Sequence, residues 1–485
     1  MGGGPGRAVP CGPVEPPTDH ASARSWVERD RAVVWHGFTQ MAAYADNSPV
    51  IAESAEGHWI TDVDGRRYLD AISSLWVTTV GHRVPRLDDA LRAQLDRVAH
   101  TTLLGNGNRV TVEFAEALTA RLPMEGAHLL FASDGAAAVE QAIKIAFQYW
   151  VNLGVEGRTR YLAFGGAYHG DTIGSLSVGD GGFGTDLFDP LRFGVLRAPG
   201  FDRPDAVEVA CRMVAEHADE LAAVVVEPLV QGAAGMHLLP PAAFAPLQEA
   251  CRHHDVLLVC DEVAVGFGRT GTLFASEQCG LRPDLMALGK GISAGYLAMS
   301  ATAANDRVHD AFLGEDLGPR TLYHGHSYGG NALACAVGLE HLRLLDDEDV
   351  LANVVARAAQ FSDLLGRHVR GLAGVADVRQ HGLMIGIEVA PPVDGARWGR
   401  RISAACVARG VLIRPLGDVI VIVPHLTTTE EEAELIVTTV AAAITEVALA
   451  DDVVERAEIE RAVDEGAVDA GTVGGGSVGA GAGTG

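Results

Sequence analysis

Lysine is nearly absent from this chain. Of 37 basic residues among 485, a count gives 35 Arg and two Lys, Lys144 and Lys290. Arg can carry almost any surface charge that Lys carries, but only Lys offers an amine whose pKa falls far enough on burial for base or nucleophile chemistry. Each of the two is therefore a candidate. Positive charge is scarce as a whole: 63 acidic residues leave a net charge of −26, which argues against a phosphate backbone as partner. The seven cysteines are odd in number and never spaced CxxC, so reduced thiols in a cytoplasm are expected rather than a disulfide framework or a zinc knuckle. No run of about 18 apolar residues occurs, and the N-terminal MGGGPGRAVPCGPVEPP lacks a hydrophobic signal core, so neither membrane insertion nor secretion is expected. Gly6 stands where a myristoylation signal needs Ser or Thr.

Residues 1–24, rich in Pro and Gly, and the stretch 451–485, acidic and then Gly-rich, read as tails. The body opens with WITDV and RRYLDAI around Asp64-Gly65, the dipeptide of a type I′ hairpin turn. VPRLDDALRAQLDRVA and VEFAEALTARL then space their apolar residues as helices do. From about residue 127 to 300, short apolar runs (LLF, YLAF, AAVVVE, VLLVCDE, LMALGK) alternate with helical segments. Runs without polar alternation imply a mostly parallel sheet covered on both faces. Thr429, three residues before Glu432, predicts a capping box opening a final helix over 430–449. The expected architecture is α/β. It comprises a segment 25–80 joining a small domain, a large α/β domain over 81–345, and a small α+β domain over 346–450.

Three consecutive apolar runs end in a chemically useful side chain: Glu227, Asp261 and Lys290. In parallel sheets ligands lie beyond the carboxyl ends of the strands, so these three are expected in one crevice. A lysine and an aspartate in one cleft suit pyridoxal 5′-phosphate: the amine condenses with its aldehyde, and the carboxylate keeps its ring nitrogen protonated. Ser133-Asp134-Gly135-Ala136, between a strand and a helix, offers free amides for the phosphate. Tyr168 could stack on the ring, whereas Lys144, near Glu140 on a helix, reads as a surface or packing residue. Gly266–Gly271 matches GxGxxG, but no strand ending in an acid follows at the distance a dinucleotide site requires.

DEVAVGFGRTG at 261, PDLMALGKGISAGY around Lys290 and YHGDT at 168 resemble the class III aminotransferases of the type I pyridoxal-phosphate fold, over roughly residues 30–450. Within that class, QYW at 148, VQGAAGM at 230, HGHSYGGN at 324 and IRPLGD at 413 are most similar to the 7,8-diaminopelargonate synthases of biotin synthesis. The resemblance implies transfer of an amino group from a small-molecule donor to a keto acceptor, 8-amino-7-oxononanoate. It also implies a homodimer with active sites at the interface. Lys290 would bind the cofactor, Asp261 would pair with its ring nitrogen, and Tyr168 would stack on it. Gly135, Ala136, His326 and Ser327 would serve the phosphate, Ser327 that of the neighbouring subunit. Arg414 would grip a substrate carboxylate, and Phe38, Leu75, Trp76 and Gly325 would border the substrate. Phe38 and Leu75 stand where members using S-adenosylmethionine carry Tyr and Trp, so S-adenosylmethionine and lysine both stay open as donor. Another class III ω-amino-acid aminotransferase and a same-fold aminomutase are the alternatives.

Overall fold

The computed structural model describes residues 25–180, 185–393 and 395–464, with side chains as far as 451. The predicted N-terminal tail, residues 1–24, and residues 465–485 lie outside the described residues. The chain divides into two compact units, residues 1–51 and 52–485. In the first, Ser25 and Glu28 form a capping box on the helix Trp26–Val33, and His36 stacks on Tyr44 with ring centroids 4.6 Å apart.

The second unit is built on a seven-stranded sheet. Its order is His128–Ala132, Ser300–Ala304, Leu285–Leu288, Leu257–Asp261, Leu221–Val226, Arg160–Phe164, Leu196–Ala198. All five predicted apolar runs are in it, running parallel. Two strands were not foreseen: Leu196–Ala198, and Ser300–Ala304, which lies antiparallel to both neighbours. Alternation along Leu257–Asp261 shows how both faces are covered: Leu257 and Val259 join one core with Ile143 and Ala146 of the helix Gly135–Asn152. Leu258 and Cys260 point into the other core with Phe244 and Leu247.

A four-stranded sheet pairs Ala52–Glu56, Trp59–Asp62 and Arg67–Asp70 with Val411–Leu412. The hairpin within it is not the two-residue type I′ turn expected from Asp64-Gly65. The strands end at Asp62 and restart at Arg67, and only Gly65 has positive φ, +82°. Asp62 decides this: its Oδ1 accepts from the Asp64 and Arg66 amides, and its carbonyl accepts from Gly65 N. Such a side-chain turn favours a longer loop with glycine in the left-handed position. A second four-stranded sheet, Val375–His381, Met384–Val389, Val419–Ile422 and Arg414–Leu416 in that order, belongs to the C-terminal part.

The capping box at Thr429 is present, Thr429 Oγ1 accepting from Glu432 N and Glu432 Oε2 from Thr429 N. The helix it opens, Glu430–Asp464, runs past residue 449 into the stretch expected as tail. Its segment Glu430–Asp451 is long and apolar enough to cross a membrane by length and composition alone. Ala433, Ile436, Val437, Val440, Ala443 and Ile444 are nevertheless buried in the C-terminal core, which is the spacing of one helix face.

The GxGxxG segment is structural. Buried Arg269 donates to the Pro424 carbonyl (2.6 Å) and to the Trp76 (3.4 Å) and Thr78 (3.0 Å) carbonyls, tying three chain segments together. Arg269→Met would leave these acceptors without their donor, and a loss of about 3–5 kcal/mol is expected in urea unfolding.

Candidate active site

Adjacent parallel strands place the predicted trio together. Leu221–Val226 leads into Glu227, Leu257–Asp261 ends on Asp261, and Leu285–Leu288 is followed by Gly289 and Lys290. Lys290 is half-buried and has a strained backbone, φ +43°. Burial lowers its amine pKa, against the opposing pull of Asp261 and then Glu227. Desolvation therefore shifts this lysine toward the neutral amine that a nucleophile needs.

Asp261 is buried and fixed from two sides. Its Oδ1 accepts from Val263 N at 2.9 Å and its Oδ2 lies 2.7 Å from His169 Nδ1. His169 was not singled out in the sequence, although it directly follows Tyr168 in YHGDT. Glu227 Oε2 accepts from Tyr168 N at 3.2 Å. Burial raises the Glu227 pKa to about 7, with His169 opposing and Asp261 reinforcing the rise.

That rise fixes a sign. The folded value of about 7 lies above the ordinary 4.5, so the protonated form favours folding. The contribution is complete below pH 4.5 and lost as pH rises through about 7. Glu227→Gln is expected to flatten that part of the stability curve, checked by thermal melts across it.

Tyr168 is half-buried, and its hydroxyl donates to Asp171 Oδ2 at 2.9 Å. Burial raises its pKa, and Asp171 adds to the rise. Asp134 caps the helix Gly135–Asn152 by accepting from Ala137 N at 2.9 Å. The amides of Gly135 and Ala136 precede the first intrahelical bond and stay available at the positive helix end. A Cβ on Gly135 would come within 2.6 Å of Val263 Cγ1, so glycine lets the helix start approach the segment after Asp261. Beside this cradle, Ser133 Oγ lies 2.8 Å from His326 Nε2. Gly325 and Ser327 on the same loop are exposed. Lys144 is exposed and binds His324 Nδ1 at 3.0 Å, in keeping with a surface role.

Trp76 is buried, its ring 4.9 Å from Lys290 Nζ and against Gly232, whose added Cβ would meet the indole at 3.1 Å. Its neighbour Leu75 points outward and is 46% exposed. Arg414 is exposed on the strand Arg414–Leu416, and no contact joins it to Lys290 or Asp261 among the described residues. Phe38 belongs to the first unit, where it is exposed.

These groups fit pyridoxal phosphate on their own geometry. The Lys290 amine has a lowered pKa, a fixed carboxylate ends the adjacent strand, and a helix start with free amides stands beside them. His169 Nε2 is in addition buried without a hydrogen-bond partner.

Residues 40–444 match the family Aminotransferase class-III. The chain belongs to this family and is a pyridoxal-phosphate-dependent aminotransferase. It is 46% identical over 437 residues to the adenosylmethionine-8-amino-7-oxononanoate aminotransferase of Nitratidesulfovibrio vulgaris, covering 86% of this chain and 80% of that protein. The solved structure of the enzyme of that name from Methanocaldococcus jannaschii superposes with a TM-score of 0.83 at 36% identity, over 86% of this chain and 98% of that one. An amine transaminase from an uncultivated Pseudomonas species, solved with pyridoxal phosphate bound, gives 0.80 at 34% identity, over 86% and 99% of the two chains.

Proposed function

We propose that this aminotransferase converts 8-amino-7-oxononanoate to 7,8-diaminononanoate in biotin synthesis, with S-adenosylmethionine or lysine as amino donor. The observation that carries the chemistry is the meeting of Lys290, Asp261 and Glu227 at three adjacent strand ends. The choice of acceptor is supported by the relatives that bear this activity in their names.

Pyridoxal phosphate, when bound, supplies the aldehyde and the electron-withdrawing ring that make amino transfer possible. Lys290 would hold the cofactor through Nζ, and its lowered pKa would let its amine take and return a proton. Asp261, clamped by Val263 N and His169, would present its carboxylate to the ring nitrogen. Glu227 adds a second carboxyl that changes protonation near neutrality. The amides of Gly135 and Ala136, with His326 and the neighbouring subunit's copy of Ser327, take the phosphate, and Tyr168 offers its ring face. Arg414 binds the acceptor carboxylate through its planar fork, and Leu75, Trp76 and Gly325 border the substrate.

The active form is a homodimer in the cytoplasm. Support for the dimer comes from Leu313, Leu317, Tyr323 and Tyr328, apolar side chains exposed around the loop that carries Ser327. The described cysteines are all free, consistent with a reducing compartment. The pairing of Arg67–Asp70 with Val411–Leu412 supports grouping residues 52–80 with the small domain of 346–450, apart from a large domain over 81–345.

A half-reaction screen tests the reading. The holoenzyme is mixed separately with S-adenosylmethionine, lysine, ornithine and glutamate, and conversion of the cofactor to its amine form is followed by absorbance. A response to either of the first two is expected. A response to ornithine or glutamate alone would overturn the substrate assignment and leave the class intact.

A further inference from the structure

The segment that delivers Trp76 is unusual in its backbone. Ser73, Ser74, Leu75 and Trp76 have φ of +47°, +49°, +81° and +68°, a left-handed turn made of four residues that are not glycine. Each such residue costs on the order of 1–2 kcal/mol relative to a right-handed conformation. The turn persists only if its surroundings over-determine it.

Asp70, at the end of the strand Arg67–Asp70, is the main restraint. It is buried, and its Oδ1 accepts from Ile72 N (3.3 Å) and Ser74 N (3.0 Å). Its Oδ2 accepts from Ser74 Oγ (2.8 Å) and lies 3.2 Å from His82 Nε2. Four donors saturate the roughly four lone-pair sites of a carboxylate. Two lesser ties complete the frame: Ser73 Oγ donates to the Val423 carbonyl at 2.7 Å, and Arg269 holds the Trp76 carbonyl. The outcome is that Leu75 faces out while the Trp76 indole lies over Lys290. A right-handed path from Ile72 would send the indole elsewhere.

We infer that Asp70 is a positioning residue for amino transfer: its carboxylate locks the left-handed turn Ser73–Trp76 and thereby keeps the Trp76 indole against the reactive lysine. The inference rests on the proposed role of Lys290 and not on the identity of the substrate. No hydrogen bond or ion pair joins Asp70 to Lys290 among the described residues, and the contact through which the inference has it act is Trp76.

Two readouts on the full-length holoenzyme separate this from general support of the fold. The first is a mutant cycle of Asp70→Asn and Trp76→Ala. Asp70→Asn is expected to lower kcat/KM about 30-fold when Trp76 is present and less than about twofold in the Trp76→Ala background. The second readout is amide hydrogen exchange over residues 72–78 without substrate, expected to quicken about tenfold or more in Asp70→Asn. Ser74→Ala, which deletes only the hydroxyl bond to Asp70, should move exchange in the same direction by a smaller factor, and it serves if Asp70→Asn fails to fold. Equal losses with and without Trp76, or unchanged exchange in both variants, would overturn the inference. Because exchange is read without substrate, a wrong substrate assignment leaves that arm standing.

Discussion

Lys290→Ala is expected to lower kcat at least about a thousandfold, and borohydride should no longer fix the cofactor to the chain. The size follows from the two roles proposed for this one atom, covalent attachment and proton movement. The only other lysine, Lys144, is exposed and engaged with His324. Lys290→Arg should fail almost as badly, since a guanidinium does not deprotonate in a protein. Lys144→Ala should stay within about threefold of the parent, because it sits on the outer surface of its helix and outside the strand-end crevice. Steady-state assay of the three variants, with circular dichroism as a check on folding, measures all of this.

Asp261→Asn is the second large effect, an expected fall of about a hundredfold or more in kcat. The amide keeps nearly the same shape and can still accept from Val263 N, so the fold has little reason to change. What disappears is a buried negative charge. Two consequences follow: a protonated ring nitrogen has no counter-charge, and the Lys290 amine loses the larger of the two attractions that oppose its desolvation. His169 also loses the acceptor of its Nδ1 hydrogen bond. A thermal melt close to that of the parent, together with the fall in kcat, would place the effect in chemistry and not in folding.

The meeting of Glu227, Asp261 and Lys290 at adjacent strand ends was legible because it needed only strand assignment. AAVVV, VLLVC and LMALG are apolar throughout, and a residue ending such a strand lies at the carboxyl edge of the sheet whatever the strand order. Other features carried weaker signals. SATAA at 300–304 is made of small residues with little strand preference, and it pairs because it is enclosed between His128–Ala132 and Leu285–Leu288. The expected hairpin turn was displaced by an Asp62 side chain whose hydrogen bonds are invisible in a dipeptide rule. The left-handed run at 73–76 contradicts the local preference of every residue in it. Its cause, Asp70 together with contacts from residues 269 and 423, lies partly far away in the chain. His169 was readable only as a neighbour of Tyr168, since its partner Asp261 is 92 residues distant.

The Lys290 site is proposed to move an amino group onto 8-amino-7-oxononanoate. The direct measurement is isotope transfer: holoenzyme, 8-amino-7-oxononanoate and a donor, lysine or S-adenosylmethionine, carrying nitrogen-15 in its amino groups, with the product analysed by mass spectrometry. The expected result is one labelled nitrogen in 7,8-diaminononanoate with at least one donor, and none in the Lys290→Ala protein. Unlabelled diamine, or no diamine with either donor from a protein that still transfers amino groups between other substrates, would contradict the account.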